Sequence, residues 1–116
     1  MAGITTHILD VSVGRPAGDV LVELEFENPS SGNGSFAKIA QGRTDDDGRV
    51  KSWSTEPEMQ AGTYRLRFFV QSYFEARKAE SFYPLVEITF AVSNPTEHFH
   101  VPLLLSPFGY STYRGS

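Results

Sequence analysis

Hydrophobic and polar residues alternate with a period of two along most of this chain, the spacing of strands that bury one face. In "DVLVELEFEN", Val20, Val22, Leu24 and Phe26 fall on one side and Glu23, Glu25 and Glu27 on the other, so one face meets a core and the other meets water. "TYRLRFFVQ" repeats the arrangement, with Tyr64, Leu66, Phe68 and Val70 against Arg65, Arg67 and Gln71. "LVEITFAV" sets Val86, Ile88, Phe90 and Val92 against Glu87 and Thr89. These segments predict the centre of two sheets. Between them, "VGRPAGD", "NPSSGNGS", "TDDDGR", "EPEMQAGT", "SNPTE" and "SPFG" carry the Gly, Pro, Asn and Asp that turns require, and their spacing predicts a sandwich or barrel. One stretch departs from the pattern. "SYFEARKAESF" holds helix formers behind a serine placed to cap them, which predicts one short helix between "FFVQ" and "LVEI".

Composition narrows the picture without changing it. With 116 residues, 40% hydrophobic and 21% charged, the chain has the size and make-up of one globular domain spanning 1–116. Its net charge of −4 disfavours a polyanion, so no nucleic-acid partner is expected. It has no cysteine, which excludes disulfides, thiolate catalysis and cysteine-ligated zinc. The N-terminal "MAGITTHILDVSV" lacks the basic and apolar regions of a secretory signal, and no apolar run reaches membrane-spanning length. The expectation is a cytoplasmic protein with no membrane partner.

Candidate chemistry gathers on three histidines, His7 in "ITTHILDV" and His98 and His100 in "EHFHVPLLL". Strand alternation puts His98 and His100 on one face with Pro102 and Leu104, and turns Phe99, Val101 and Leu103 to the other. On the last strand Ser111, Tyr113 and Gly115 alternate with Tyr110, Thr112 and Arg114, and periodicity leaves open which set joins the histidines. Taken singly, each histidine reads first as a solvent-facing strand residue. Taken together, they offer imidazoles that accept and return protons near neutral pH. A competing reading uses His7, His98 and His100 as metal ligands, but no acidic residue stands at ligand spacing beside them, so no metal is expected. Arg49, after the acidic turn "TDDDG", reads singly as a charge-balancing residue and functionally as an anion or oxyanion clamp. The Asp45–Asp47 run lacks the distant Glu of a calcium loop and reads as a solvated turn.

"THILDVSVGRPAGDVLVELE", "TDDDGR", "FYPLVEITF" and "HFHVPLLLSPFGYSTYRGS" together resemble the 5-hydroxyisourate hydrolases of the transthyretin-like family, over nearly the whole chain. The closing "YRGS" is a hallmark that separates those hydrolases from the hormone-carrying transthyretins. The resemblance implies an all-β sandwich of two four-stranded antiparallel sheets with one short helix. It also implies a homotetramer, a dimer of dimers, with active sites in a central channel.

Carried over by position, the resemblance implies a catalytic set of His7, Arg49, His100 and Ser116. It ranks His100 above His98, and adds Tyr113 and Arg114 to the substrate-binding residues. The one departure is "HFH" where many members read "HYH", which touches only Phe99 on the opposite face. The implied reaction belongs to urate degradation. Water opens 5-hydroxyisourate at an acyl C–N bond, giving 2-oxo-4-hydroxy-4-carboxy-5-ureidoimidazoline, with no cofactor. The resemblance leaves open which histidine is the base, and it allows a peroxisomal location in a eukaryote. A carrier of thyroid-hormone type is the alternative within the same fold.

Overall fold

The computed structural model describes residues 3–27 and 34–116. It contains β1 (Gly3–Asp10), β2 (Arg15–Pro16), β3 (Leu21–Glu27), β4 (Phe36–Arg43), β5 (Gly62–Phe69), α1 (Gln71–Ala76), β6 (Val86–Val92), β7 (His98–Ser106) and β8 (Gly109–Thr112). The strands form two four-stranded sheets, ordered β2-β1-β7-β8 and β4-β3-β5-β6. The expected alternation is realised. Val22, Leu24, Leu66, Phe68, Val86 and Leu103 lie in the core with no exposed surface, and burying such side chains is the main force holding the sheets face to face.

The resemblance implies two antiparallel sheets, but one strand pair departs from that. The β4-β3-β5-β6 sheet is antiparallel throughout, but β1 and β7 run parallel, from Gly3 opposite His98 to Asp10 opposite Leu105. A parallel pair needs a long crossover, and here the whole second sheet lies between the two strands in sequence. Nothing local sets their relative direction.

The predicted helix is present, but its expected serine cap is not. The N-cap is Val70, with no side-chain cap bond, and Ser72 lies inside the first turn. Burial decides this, because Val70 has no exposed surface and its carbonyl accepts from Phe74 N–H at 3.2 Å. The helix is then tied to β1 through buried Asp10, which accepts from the Tyr73 hydroxyl at 2.7 Å and from Ser12 N–H at 3.0 Å. Burial pushes the Tyr73 hydroxyl up to about 12, and its bond to Asp10 adds to the shift.

The glutamate face of β3 also departs from the water-facing expectation. Glu25 is only 6% exposed and accepts from Arg65 Nε at 2.6 Å, directly across the β3–β5 pair. Arg67 lies opposite Glu23 on one side and Glu87 on the other, so alternating charges run across the sheet. The Glu25 bond holds the Arg65 guanidinium above its ordinary range. Cross-strand pairing of opposite charges lets a carboxylate give up water that the sequence pattern assigned to it.

Candidate active site

The parallel β1–β7 register builds the site. It sets Thr5 opposite His100 and His7 opposite Pro102, so Thr5, His7, His98 and His100 share the outward face of one sheet. The adjacent Thr6 points the other way and donates to the Val101 carbonyl at 2.6 Å. On the outward face the Thr5 hydroxyl lies 2.9 Å from His98 Nε2 and 2.8 Å from His100 Nδ1. Thr5 thus stands between the two histidines. It was missed in the sequence because its only signal, a spacing of two from His7, has no meaning until the register with β7 is known.

Arg49 reaches the same face from the acidic turn. Asp45 Oδ1 accepts from the backbone N–H groups of Asp47 and Arg49 at 2.9 and 3.0 Å, which closes the turn. The bond from Arg49 holds the Asp45 carboxyl below its ordinary range, against the opposing effect of desolvation. Gly48, at φ +75°, lets the turn touch β1, where its carbonyl accepts from Ile8 N–H at 2.8 Å. A β-bridge then pairs Arg49 with His7. Among the described residues no carboxylate lies within 4.0 Å of the Arg49 guanidinium, which leaves its donors open to an anion or a developing oxyanion.

The closing tetrapeptide is anchored against β7. Leu103 pairs with Thr112 and His100 with Gly115, so the same register sets Tyr113 opposite Pro102 and Arg114 opposite Val101. Pro102 has no N–H to offer there. The ladder stops at Thr112 and the chain rejoins at Gly115, whose N–H donates to the His100 carbonyl at 2.8 Å. That register places Tyr113 and Gly115 on the histidine side. Ser116 follows Gly115 directly and is exposed. Arg114 goes the other way, stacking 4.5 Å from the centre of the Phe99 ring and bonding Glu97 at 3.0 Å. The structure therefore gathers His7, Arg49, His98, His100 and Thr5, leaves Arg114 on the core-side edge, and sets Tyr113 between the two, opposite Pro102 by register yet lining a cleft with Phe90, Phe99 and Arg114.

These surroundings hold the His100 imidazole below its ordinary value, first through burial and then through the charges of Arg49, His7 and His98. Both effects favour the neutral imidazole. Nδ1 faces Thr5 and the Cδ2 edge faces Gly115, so Nε2 is the nitrogen left to meet a substrate. A cleft of about 400 Å³ lined by Thr5, Lys51, Trp53, Glu56 and His98 opens beside the pair. A more apolar cleft of about 240 Å³, lined by Phe90, Phe99, Thr112, Tyr113 and Arg114, lies at the mouth of the sandwich and contains none of the histidines. The first cleft holds Thr5 and His98 but not His7, Arg49 or His100, so neither cleft by itself contains the whole set. Among the described residues no group of three His, Asp or Glu side chains could hold a metal ion, and no helix is long and apolar enough to cross a membrane.

Residues 4–115 match the HIUase/Transthyretin family. This chain belongs to that family. It is 45% identical to a probable 5-hydroxyisourate hydrolase of Caenorhabditis elegans, over 99% of this chain and 82% of that one. Its fold matches the 5-hydroxyisourate hydrolase of Klebsiella pneumoniae at TM-score 0.80 and 36% identity, covering 97% of this chain and 98% of that one. It also matches the transthyretin of Sparus aurata at TM-score 0.87 and 30% identity, covering 99% and 97%. Shape therefore does not separate an enzyme from a carrier within the family, and the side chains of the site have to.

Proposed function

We propose that this protein is a 5-hydroxyisourate hydrolase of urate degradation. The observation that carries the reading is the half-buried His100, its Nδ1 engaged by Thr5 and its Nε2 free, beside His7 and an Arg49 with no carboxylate partner among the described residues. The names borne by its Caenorhabditis and Klebsiella relatives supply the substrate.

In this reading His100 Nε2 takes a proton from water as its oxygen bonds to the acyl carbon of the ring. The carbonyl oxygen becomes an oxyanion, which the Arg49 guanidinium stabilises. Collapse of that intermediate breaks the acyl C–N bond. The departing nitrogen takes back a proton from the imidazole pair, His7 being the second member. Ser116, next to Gly115, orients water or substrate, and Tyr113 shapes the pocket. Arg114 contributes only at a distance from the imidazoles, since its guanidinium is committed to Glu97 and Phe99. No cofactor enters. A homotetramer in the cytoplasm, with the sites in its central channel, is proposed on the family resemblance alone.

The alternative, a thyroid-hormone type carrier, fits this face less well, because two imidazoles and a free guanidinium make it polar. The deciding experiment generates 5-hydroxyisourate in situ from urate and follows the decay of its ultraviolet absorbance. Accelerated decay with the protein, lost in His100→Ala, supports the hydrolase. Decay at the spontaneous rate defeats it.

A further inference from the structure

We infer that Thr5 and His98 are positioning residues that set the tautomer of His100, an inference that rests on the hydrolase reading for its kinetic consequence only. Thr5 Oγ1 lies within hydrogen-bond distance of a ring nitrogen on each neighbour, His98 Nε2 and His100 Nδ1. A hydroxyl carries one proton. It donates to one imidazole, and the other imidazole must then donate to it. When that hydrogen lies between the two rings, two arrangements are possible. A third, in which both rings donate to the hydroxyl's two lone pairs, would need another acceptor for the Thr5 proton, and no other side-chain partner of Thr5 Oγ1 is seen among the described residues.

In the first, His100 Nδ1–H donates to Thr5, and the Thr5 hydroxyl donates to a bare His98 Nε2. His100 then presents an unprotonated Nε2, as a base must. In the second, His98 Nε2–H donates to Thr5 and Thr5 donates to His100 Nδ1, which leaves the His100 proton on Nε2 and the base disabled. The partner of one ring nitrogen decides the state of the other. His100 is half-buried while His98 is exposed, so the chain of bonds begins at the working imidazole and ends at the solvent edge. His98 serves as its terminal acceptor. This gives a role to the histidine that the family resemblance ranks below His100, and to a threonine whose neighbour Thr6 has a purely structural bond.

The test uses the full chain labelled with ¹⁵N in histidine, as wild type, Thr5→Val, Thr5→Ser and His98→Phe. Ring nitrogen resonances and their couplings to the ring protons report the tautomer of neutral His100 without substrate. The expected result is a proton on Nδ1 in wild type and Thr5→Ser, shifting towards Nε2 in Thr5→Val and His98→Phe. In the hydrolysis assay Thr5→Val should lower kcat by roughly tenfold, the bias that one hydrogen bond of ordinary strength maintains, with KM little changed. Thr5→Ser should restore most of it.

A wild-type His100 with its proton on Nε2 overturns the inference. So does a Thr5→Val protein with unaltered tautomer, or a Thr5→Ser protein as impaired as Thr5→Val, which would make the role steric. Because the tautomer is read without turnover, a protein that fails to hydrolyse 5-hydroxyisourate defeats the proposed reaction and still decides this point.

Discussion

Gly115 lies so close to His100 that a Cβ there would come within 2.5 Å of imidazole Cδ2 and 3.2 Å of Cγ. The glycine of the closing tetrapeptide is therefore a steric requirement of the histidine beside it. Gly115→Ala should push the ring away from Thr5 and out of line with its substrate. A displacement of that size in a working group costs on the order of 10²-fold in rate. The expected outcome is a fall in kcat/KM of that order with a thermal midpoint close to wild type, since the contact is at the edge of the sheet. A fully active Gly115→Ala protein would mean that the ring has room to move.

The lowered pKa of His100 gives a pH profile with a definite sign. A base works when unprotonated, so activity should be lost as pH falls through the His100 pKa. Burial and the neighbouring charges move that limb below the ordinary histidine value of about 6.5. Arg49→Gln removes one of those charges, and the acid limb should then shift upward while KM rises. Rate profiles of the two proteins between mildly acidic and neutral pH check this. A limb that stays in place, or moves down, would separate Arg49 from the electrostatics of the base.

Gly48 sets the position of Arg49 through the backbone they share. It holds φ at +75°, and a Cβ on it would meet the Ile8 carbonyl at 2.4 Å. Gly48→Ala should therefore lift the acidic turn from β1 and carry Arg49 away from His7. The backbone strain and lost contact should cost about 1–3 kcal/mol of stability. A lower urea midpoint together with a raised KM is the expected pair of results. Lost stability with unchanged KM would show that Arg49 keeps its place without the turn.

Much of this was legible in the sequence, and the exceptions have a common cause. The alternation of β3, β5 and β6 identifies their core faces because burial writes its period directly into neighbouring residues. His98 and His100 share a face for the same local reason. Thr5 and the direction of β1 against β7 were not legible, because both depend on pairing residues 95 apart. The buried Glu25 was misread for a similar reason, since its partner Arg65 lies across a sheet. The family resemblance supplied His7, Arg49 and the tail as a group. The geometry then divided the tail, with Gly115 against His100 and Arg114 on the far side.

Asp10 offers a test of stability apart from the site. Its carboxylate has no exposed surface and depends on the Tyr73 hydroxyl, Ser12 and, at 3.9 Å, Arg77. Tyr73→Phe removes one donor and leaves the ring packing in place. The carboxylate then sits buried with an unmet acceptor, a change that costs about 1–3 kcal/mol. The loss falls on the contact between β1 and α1, not on the imidazoles, so kcat should stay near wild type while the urea midpoint drops. If both are unchanged, Ser12 and Arg77 suffice for Asp10. If kcat falls as well, the anchor at Asp10 also holds the strand that carries His7 and Thr5 in register with β7.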